Sequence, residues 1–313
     1  MEGSVLVTGA TGYIGSQLVD ALLAAGVRVR AMTREPERLA GLASRGVEVV
    51  RGDVLDRRSL TEALRDVRAA YYLVHSMAGS DSRRTFEEYD RFAAQNFAAA
   101  AAHVPQIIYL GGLGRADDTL SPHLRSRQEV AEILLSGPAP ATVLRAGIVI
   151  GRGSASFTML LYLVRRLPVM ITPRWVENRT QPIAIADTIS YLHAALGNQK
   201  ALRHNFDIGG PEVLTYREMM QRTAAILGKR LTIIGVPVLT PTLSSYWVDL
   251  FTPVPFELVQ PLIEGLRNDT IVQDDSAQRV MPIPLTPFEN AVRDALQIER
   301  QAQEGTTFTD GRT

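Results

Sequence analysis

The chain has 313 residues, 46% hydrophobic and 21% charged, with 33 Lys and Arg against 33 Asp and Glu. That length holds about two domains, or one large α/β unit with an added lobe, and the balanced charge leaves no basic excess to draw a phosphate backbone; nucleic acid is not an expected partner. Cysteine is absent, which excludes disulfides, thiolate metal sites and a cysteine nucleophile.

The opening "MEGS" has neither the basic nor the apolar region of a secretory leader. "SVLVTGA" reads as a short buried strand and "GYIGSQLVDALLAAG" as a helix closed by Gly26. "VRVRAMT" alternates as a strand, "PERLAGLASRG" is a short helix from Pro36 to Gly46, and "VEVVRGD" is a third strand. "SLTEALRD" is helical, "AAYYLVHS" a continuous buried strand, "TFEEYDRFAAQNFAAAAAH" a long helix and "QIIYLGG" a strand. "PHLRSRQEVAEILLSG" is a helix capped by Ser121 with Pro122 at its first position, followed by the strand "ATVLRAGIVIG". This alternation predicts an α/β, doubly wound parallel-sheet Rossmann fold with helices on both faces, spanning 1–150.

The second half is less regular. "SASFTMLLYLVRRL" is helical, "QPIAIADTISYLHAAL" a short strand and helix, "HNFDIGG" a strand, and "TYREMMQRTAAILG" a helix with a Thr215–Glu218 capping box. The apolar stretch "FTMLLYLVRRLPVMI" is broken by Arg165, Arg166 and Pro168, too short and too charged to cross a bilayer. A proline-rich run covers 237–261, and "TPFENAVRDALQIERQ" is a final helix with Thr286 as cap and Glu289 completing the box. These elements predict a smaller C-terminal α/β lobe over 151–303, with 182–197 packing back onto the first domain and 304–313 as a disordered tail. With no leader and no transmembrane segment, the expected location is cytoplasmic.

The strongest motif is "VTGATGYIG". Gly9 and Gly12 let the backbone turn tightly and approach a pyrophosphate, Gly15 lets the helix pack close to the strand, and the helix N-terminus then faces the phosphates. Thr11, Tyr13 and Ile14 complete the predicted cofactor loop. Together with "GDV" at Asp53 and Val54, "PIAIAD" at 182–187 and "FDIGGPEVLTYREM", this pattern resembles the extended and atypical short-chain dehydrogenases/reductases. The likeness is greatest to the branch holding NmrA-like proteins and the NADPH-binding accessory subunit of respiratory complex I. The resemblance implies a nicotinamide nucleotide in the first domain, with Asp53 and Val54 flanking its adenine, and a substrate held by the later segments.

The second strand ends "AMTRE": Thr33 stands where NAD-type sites carry an acid, and Arg34 follows. A guanidinium pairs with a 2′-phosphate, so NADP(H) is expected; the other reading is that Arg34 and Arg38 are solvated and Glu35 serves the ribose of NAD. His75 stands at the carboxyl edge of the sheet, either touching cofactor or substrate or satisfied by backbone. Arg145 reads as an ion-pair partner and Tyr109 as a hydroxyl reaching a buried acceptor. Trp175 and Asn178, in the loop "PRWVENRTQ", are substrate candidates. The histidines, at 75, 103, 123, 193 and 204, have no metal-ligand spacing.

Typical members of the resembled family carry a serine after the fifth strand, which orients the substrate, and a tyrosine–lysine pair one helical turn apart. Here Gly111 and Gly112 stand at the strand end, and His123 and Arg127 take the pair's positions on one helix face. His123 is then the expected proton donor, disfavoured as a cation by the helix N-terminus, and Arg127 the expected ribose ligand. The segments "SFTMLLYLV", "LPVMITPRW" and "SSYWVDLFTPVPFELV" supply apolar surface either for a small apolar ligand or for packing and subunit contact. Two functions stand: a reductase or dehydrogenase acting on an apolar carbonyl or enone, or a nucleotide-binding sensor or assembly protein without turnover.

Overall fold

Val5 and Val7 of β1 (Ser4–Thr8) pack into one core and Leu6 into another, the period-two alternation of a strand buried on both faces. In the computed structural model, which describes residues 3–75, 85–114, 120–236, 253 and 263–309, β1 lies inside a seven-stranded sheet. Its other strands are β2 (Val29–Thr33), β3 (Glu48–Arg51), β4 (Val67–Tyr72), β5 (Ile107–Gly112), β6 (Ala141–Ala146) and a later one, β11 (His204–Ile208). The order is β11–β6–β5–β4–β1–β2–β3, and every pairing is parallel.

Helices cover both faces. Leu18, Val19 and Leu22 of α1 (Tyr13–Ala24) share a core with Ile189 and Leu192 of α7 (Ile185–Ala195). Between these helices in the chain come the short α2 (Ala40–Ala43), then α3 (Arg57–Ala63), α4 (Phe86–Ala100) and α5 (Pro122–Ser136). Leu60 of α3, Phe97 of α4 and Leu134 of α5 fill the opposite face. Tyr71 of β4 ties α7 down by donating its hydroxyl to the Leu192 carbonyl at 2.9 Å. The fold is therefore a doubly wound Rossmann-type α/β unit. Strand β11 falls within 151–303, yet it extends the main sheet beside β6 rather than the lobe.

The lobe has its own core. Leu160 and Leu163 of α6 (Ala155–Arg166) meet Met219 and Met220 of α8 (Tyr216–Ile226) and Val292 of the last helix, α10 (Phe288–Thr309). Around them lie three two-stranded ladders: β7 (Val149–Ile150) with β10 (Ile183–Ala184), β8 (Val169–Thr172) with β13 (Thr232–Gly235), and β9 (Arg179–Thr180) with β12 (Leu214–Thr215). A short α9 (Ser276–Val280) precedes the last helix.

Two expectations change here. The Thr286–Glu289 box does not cap α10; Thr286 instead gives its N–H and hydroxyl to Asp187 at 2.7 and 2.8 Å, and Glu212 accepts from the Phe288 N–H at 3.0 Å. An acid of α7 and one of the loop between β11 and β12 thus accept from donors at the helix start. The helix then runs to Thr309, well into the stretch expected to be disordered, while 310–313 lie outside the described residues. Among the described residues no helix is long and apolar enough to cross a membrane.

Candidate active site

The loop between β1 and α1 sits where the strand order reverses, since β1 is flanked by β2 on one side and β4 on the other. Gly9 has φ +71°, and a Cβ there would stand 2.6 Å from the Leu73 carbonyl oxygen. A Cβ on Gly15 would stand 2.2 Å from the Gly9 oxygen, so only glycine lets α1 start this close to the strand. Gly12 is the N-cap and makes no side-chain cap hydrogen bond, which leaves the helix N-terminus for a ligand.

A groove of about 360 Å³ runs beside this loop, lined by Gly9, Thr11, Gly12, Arg34, Asp53 and Val54, with Thr33, Arg38 and Tyr89. Among the described residues Arg34 makes no hydrogen bond or ion pair and is exposed, whereas Glu35 lies 3.8 Å from Arg38. Asp53 is held in place by accepting from the Leu55 N–H at 2.9 Å.

A second cavity of about 380 Å³ lies toward the lobe. Met159, Leu160, Leu163, Trp175, Tyr216 and Met220 give it apolar walls, and Gly111, Gly112, His123 and Arg127 face it from the sheet side. Leu73 and His75 line both cavities, so the two meet there. Tyr13 and Ile14, expected in the cofactor loop, line the second cavity rather than the groove. The Tyr13 ring lies against Gly151, where a Cβ would be 2.2 Å from its hydroxyl, and burial pushes that hydroxyl's pKa up to about 12.

At the sheet edge Arg127 donates to the Leu110 carbonyl at 3.1 Å, and its own carbonyl accepts from the Tyr109 hydroxyl at 3.3 Å. A Cβ at Gly112 would lie 3.0 Å from Leu124 Cδ2, so the space for a side chain at this position is already partly filled. His123 does not stand alone. Its Nδ1 lies 3.2 Å from His75 Nε2, and His75 Nδ1 lies 2.9 Å from Asp90 Oδ2. Asp90 also accepts from the Ser126 hydroxyl at 3.0 Å. Among the described residues no three such groups converge as metal ligands; these lie in line.

Burial first, then the Arg127 cation, hold the His75 imidazole down to about pKa 4, against a partial lift from Asp90. His123 is held well below the usual histidine range by burial, then Arg127, then His75. The helix N-terminus named from the sequence is thus not the main reason; desolvation and a neighbouring cation are.

Residues 1–239 match the sequence profile of the NmrA-like family. The chain belongs to the NmrA-like family. It is 29% identical over 228 residues to a (4-alkanoyl-5-oxo-2,5-dihydrofuran-3-yl)methyl phosphate reductase of Streptomyces griseus, a match covering 72% of this chain and 75% of that one. It is 26% identical over 240 residues to a ceramide reductase of Caulobacter vibrioides, covering 75% and 74%. Among solved structures it is similar to the triphenylmethane reductase of Citrobacter sp. complexed with NADP(H), with TM-score 0.74 and 21% identity over 93% of this chain and 99% of that one.

The remaining site expectations for this NmrA-like protein divide. Asn178 gives its amide to the Leu266 carbonyl at 2.8 Å and does not line the cavity, whereas Trp175 does, with its ring edge-on to Tyr216. Arg145 forms the expected ion pair, with Asp207 at 2.6 Å. In "LPVMI", Met170 is buried, but Val169 and Ile171 are 51% and 55% exposed and line neither cavity. "SSYWVDLFTPVPFELV" lies outside the described residues, apart from Pro253. Asp90 and Ser126 were not singled out. The signal was present: Asp90 falls among Tyr89, Ala93, Ala94 and Phe97 on the buried stripe of α4, where an acid requires a partner.

The neutral imidazoles are expected to contribute to the acid sensitivity of this protein. An unfolded chain protonates histidine near pH 6.5, while folded His75 resists to about 4. Across that window the unfolded state binds more protons, so stability rises with pH and is lost as pH falls. We expect a loss of about 2 kcal/mol or more between neutrality and about pH 5. Urea midpoints at the two pH values check it, and a His75→Gln, His123→Gln double variant should lose less; equal midpoints for the native protein would contradict it.

Proposed function

We propose that this protein is an NADP(H)-dependent oxidoreductase that moves hydride to or from an apolar carbonyl or enone, with His123 handling the proton. The observation that carries the reading is the meeting of two cavities at Leu73 and His75, one floored by glycine and edged by arginine, the other walled by apolar side chains. A bound nicotinamide supplies or takes up the hydride. The groove fits such a cofactor because a Cβ at Gly9 or Gly15 would fill it or push its walls apart. Gly9, Gly12 and Gly15, with the start of α1, hold the pyrophosphate; Asp53 and Val54 frame the adenine; Arg34 takes the 2′-phosphate with Arg38 beside it. Arg127, anchored on the Leu110 carbonyl, faces the ribose.

The α6 side chains, Trp175 and Tyr216 keep water from the reacting carbonyl and favour an apolar substrate. The relatives support this reading: both curated ones are named as reductases, and a ceramide is a largely apolar molecule. One feature of the sequence favours the second reading, a nucleotide sensor or assembly protein without turnover: Gly111 or Gly112, His123 and Arg127 stand where typical short-chain dehydrogenases/reductases are expected to carry serine, tyrosine and lysine. A screen of NADPH oxidation over apolar ketones, aldehydes and enones separates them. Consumption with any of these supports the enzyme; tight NADPH binding with no consumption supports the sensor.

Arg34→Ala is expected to weaken NADPH binding by about 1.5–3 kcal/mol, about tenfold or more, and to leave NADH binding unchanged. Fluorescence titration with both nucleotides reads this. Equal losses for the two, or none for either, would assign the 2′-phosphate elsewhere.

A further inference from the structure

We propose that Asp90, His75 and His123 act as one proton relay, in which Asp90 and Ser126 are positioning residues that set the tautomer of His123 from behind. The proposal rests on the reductase reading above and names how its proton is supplied.

The hydrogen bonds fix the order. Ser126 Oγ–H donates to Asp90 Oδ2 at 3.0 Å, and with Asp90 ionised His75 Nδ1–H donates to the same oxygen at 2.9 Å. In a neutral ring His75 Nε2 is then a bare acceptor, and it takes its hydrogen bond from His123 Nδ1–H at 3.2 Å. The remaining nitrogen, His123 Nε2, has no hydrogen-bond partner among the described residues, and His123 lines the apolar cavity. Both nitrogens of His75 are spent inside the protein. With Asp90 and His123 on its two nitrogens, His75 lines both cavities without a ring nitrogen left for a ligand.

In this resting form His123 Nε2 is a base, ready to take the proton of an alcohol. In the reducing direction the relay carries one more proton. His123 then bears Nε2–H and accepts at Nδ1 from His75 Nε2–H, and the positive charge sits on His75 against the Asp90 carboxylate. When the substrate carbonyl carbon takes a hydride from a bound reduced nicotinamide, the C=O π pair moves onto oxygen. That oxygen forms its O–H bond as His123 Nε2–H breaks; His123 Nδ1 takes the proton from His75 Nε2, and the charge on His75 is discharged. The carbonyl is reduced, the nicotinamide oxidised, and one proton leaves the relay, to be restored from solvent.

The charge has a reason to move inward. Arg127 on α5 repels a cation on either ring, and only His75 has the Asp90 carboxylate in contact. Among the described residues the other titratable groups around the relay are Tyr72 on β4, Tyr109 on β5 and Tyr89 on α4, with Asp53 and Arg34 beyond Tyr89. Burial raises all three tyrosines, so they stay neutral while the histidines titrate. Two rings sharing one hydrogen bond under these charges titrate as a pair, with apparent values belonging to the pair.

The test is ¹⁵N NMR of the full chain labelled at its five histidines, which reads tautomers and midpoints without cofactor. His75→Gln and His123→Gln assign the signals. The expected result is the Nδ1–H tautomer on both rings near neutral pH and one shared titration. Asp90→Asn, which keeps the shape and an acceptor, should shift that midpoint down by about one pH unit or more. In turnover Asp90→Asn should lower kcat by about tenfold or more with little change in KM, because its effect is on the proton. Independent midpoints in the native protein overturn the relay even if Asp90→Asn fails to fold, and so does an unmoved midpoint in a folded Asp90→Asn. NADPH turnover that depends on His123, seen alongside independent midpoints, would leave the reductase standing and the relay refuted. A shared, Asp90-dependent titration with no turnover on any substrate would uphold the coupling and refute the reductase.

Discussion

Replacing His123 with alanine is expected to lower turnover of an apolar carbonyl or enone by about 10²- to 10⁴-fold while leaving NADPH affinity nearly unchanged. The size follows from the lack of a substitute acid among the described residues. Gly111 and Gly112 carry no side chain, and the Tyr109 hydroxyl is buried and spent on the Arg127 carbonyl. The Tyr13 hydroxyl is buried, and its pKa is pushed up to about 12. Arg127 is a donor without a proton to lose. The pH dependence has a definite sign. Both imidazoles protonate only below the ordinary histidine range, so the proton-loaded form is scarce above neutrality. The kcat/KM for reduction should therefore rise as pH falls from about 8 to about 6, approaching tenfold per unit, and the His123→Ala profile should be nearly flat. Steady-state rates of both proteins over that range test this. Undiminished turnover in the variant would remove His123 as the acid.

Gly15→Ala should do comparable damage to cofactor binding. The added Cβ would lie 2.2 Å from the Gly9 oxygen, 2.8 Å from the Gly9 carbonyl carbon and 3.0 Å from Ala10 Cα, all backbone atoms with no rotamer to yield. Relief requires α1 to move off β1, carrying the helix N-terminus out of register with the groove. We expect a stability loss of about 1–3 kcal/mol and a fall of about two orders of magnitude in NADPH affinity. Gly12→Ala is the internal comparison. Its Cβ would stand 3.1 Å from the Gly9 oxygen, a squeeze that small shifts relieve, so its affinity loss should be the smaller. Calorimetric titration and thermal melts of the two variants read both quantities; equal affinities would contradict the packing account.

The parts legible in the sequence are those governed by local periodicity. Strands β1 to β6 and the helices between them follow period-two and 3.6-residue patterns, and the glycine loop announces itself by spacing and position. The Ser121 cap and the Thr215–Glu218 box formed as read, because each is closed within four residues of chain. What was not legible depends on contacts far apart in sequence. Asp90 meets His75 only because α4 and the end of β4 face each other across the second core, and its partner Ser126 comes from a third element. At the start of α10 the donors of Thr286 and Phe288 go to Asp187 of α7 and to Glu212 of the loop before β12, both distant in sequence. Strand β11 joins the main sheet through pairing with β6, which no local pattern specifies. His123 was singled out by its place in the helix, but the lowering of its pKa was not legible, since that depends on burial, Arg127 and His75 together.

On the proposed function the glycine-floored groove and the apolar cavity serve one hydride transfer. The most direct measurement uses NADPH deuterated at C4 of the nicotinamide, mixed with the native protein and a panel of apolar ketones, aldehydes and enones, with products read by mass spectrometry and NMR. A single deuterium is expected on the former carbonyl carbon, or on the β-carbon of an enone, in at least one product, and its loss in His123→Ala. Tight binding of the labelled NADPH with no deuterium delivered to any member of the panel would contradict it.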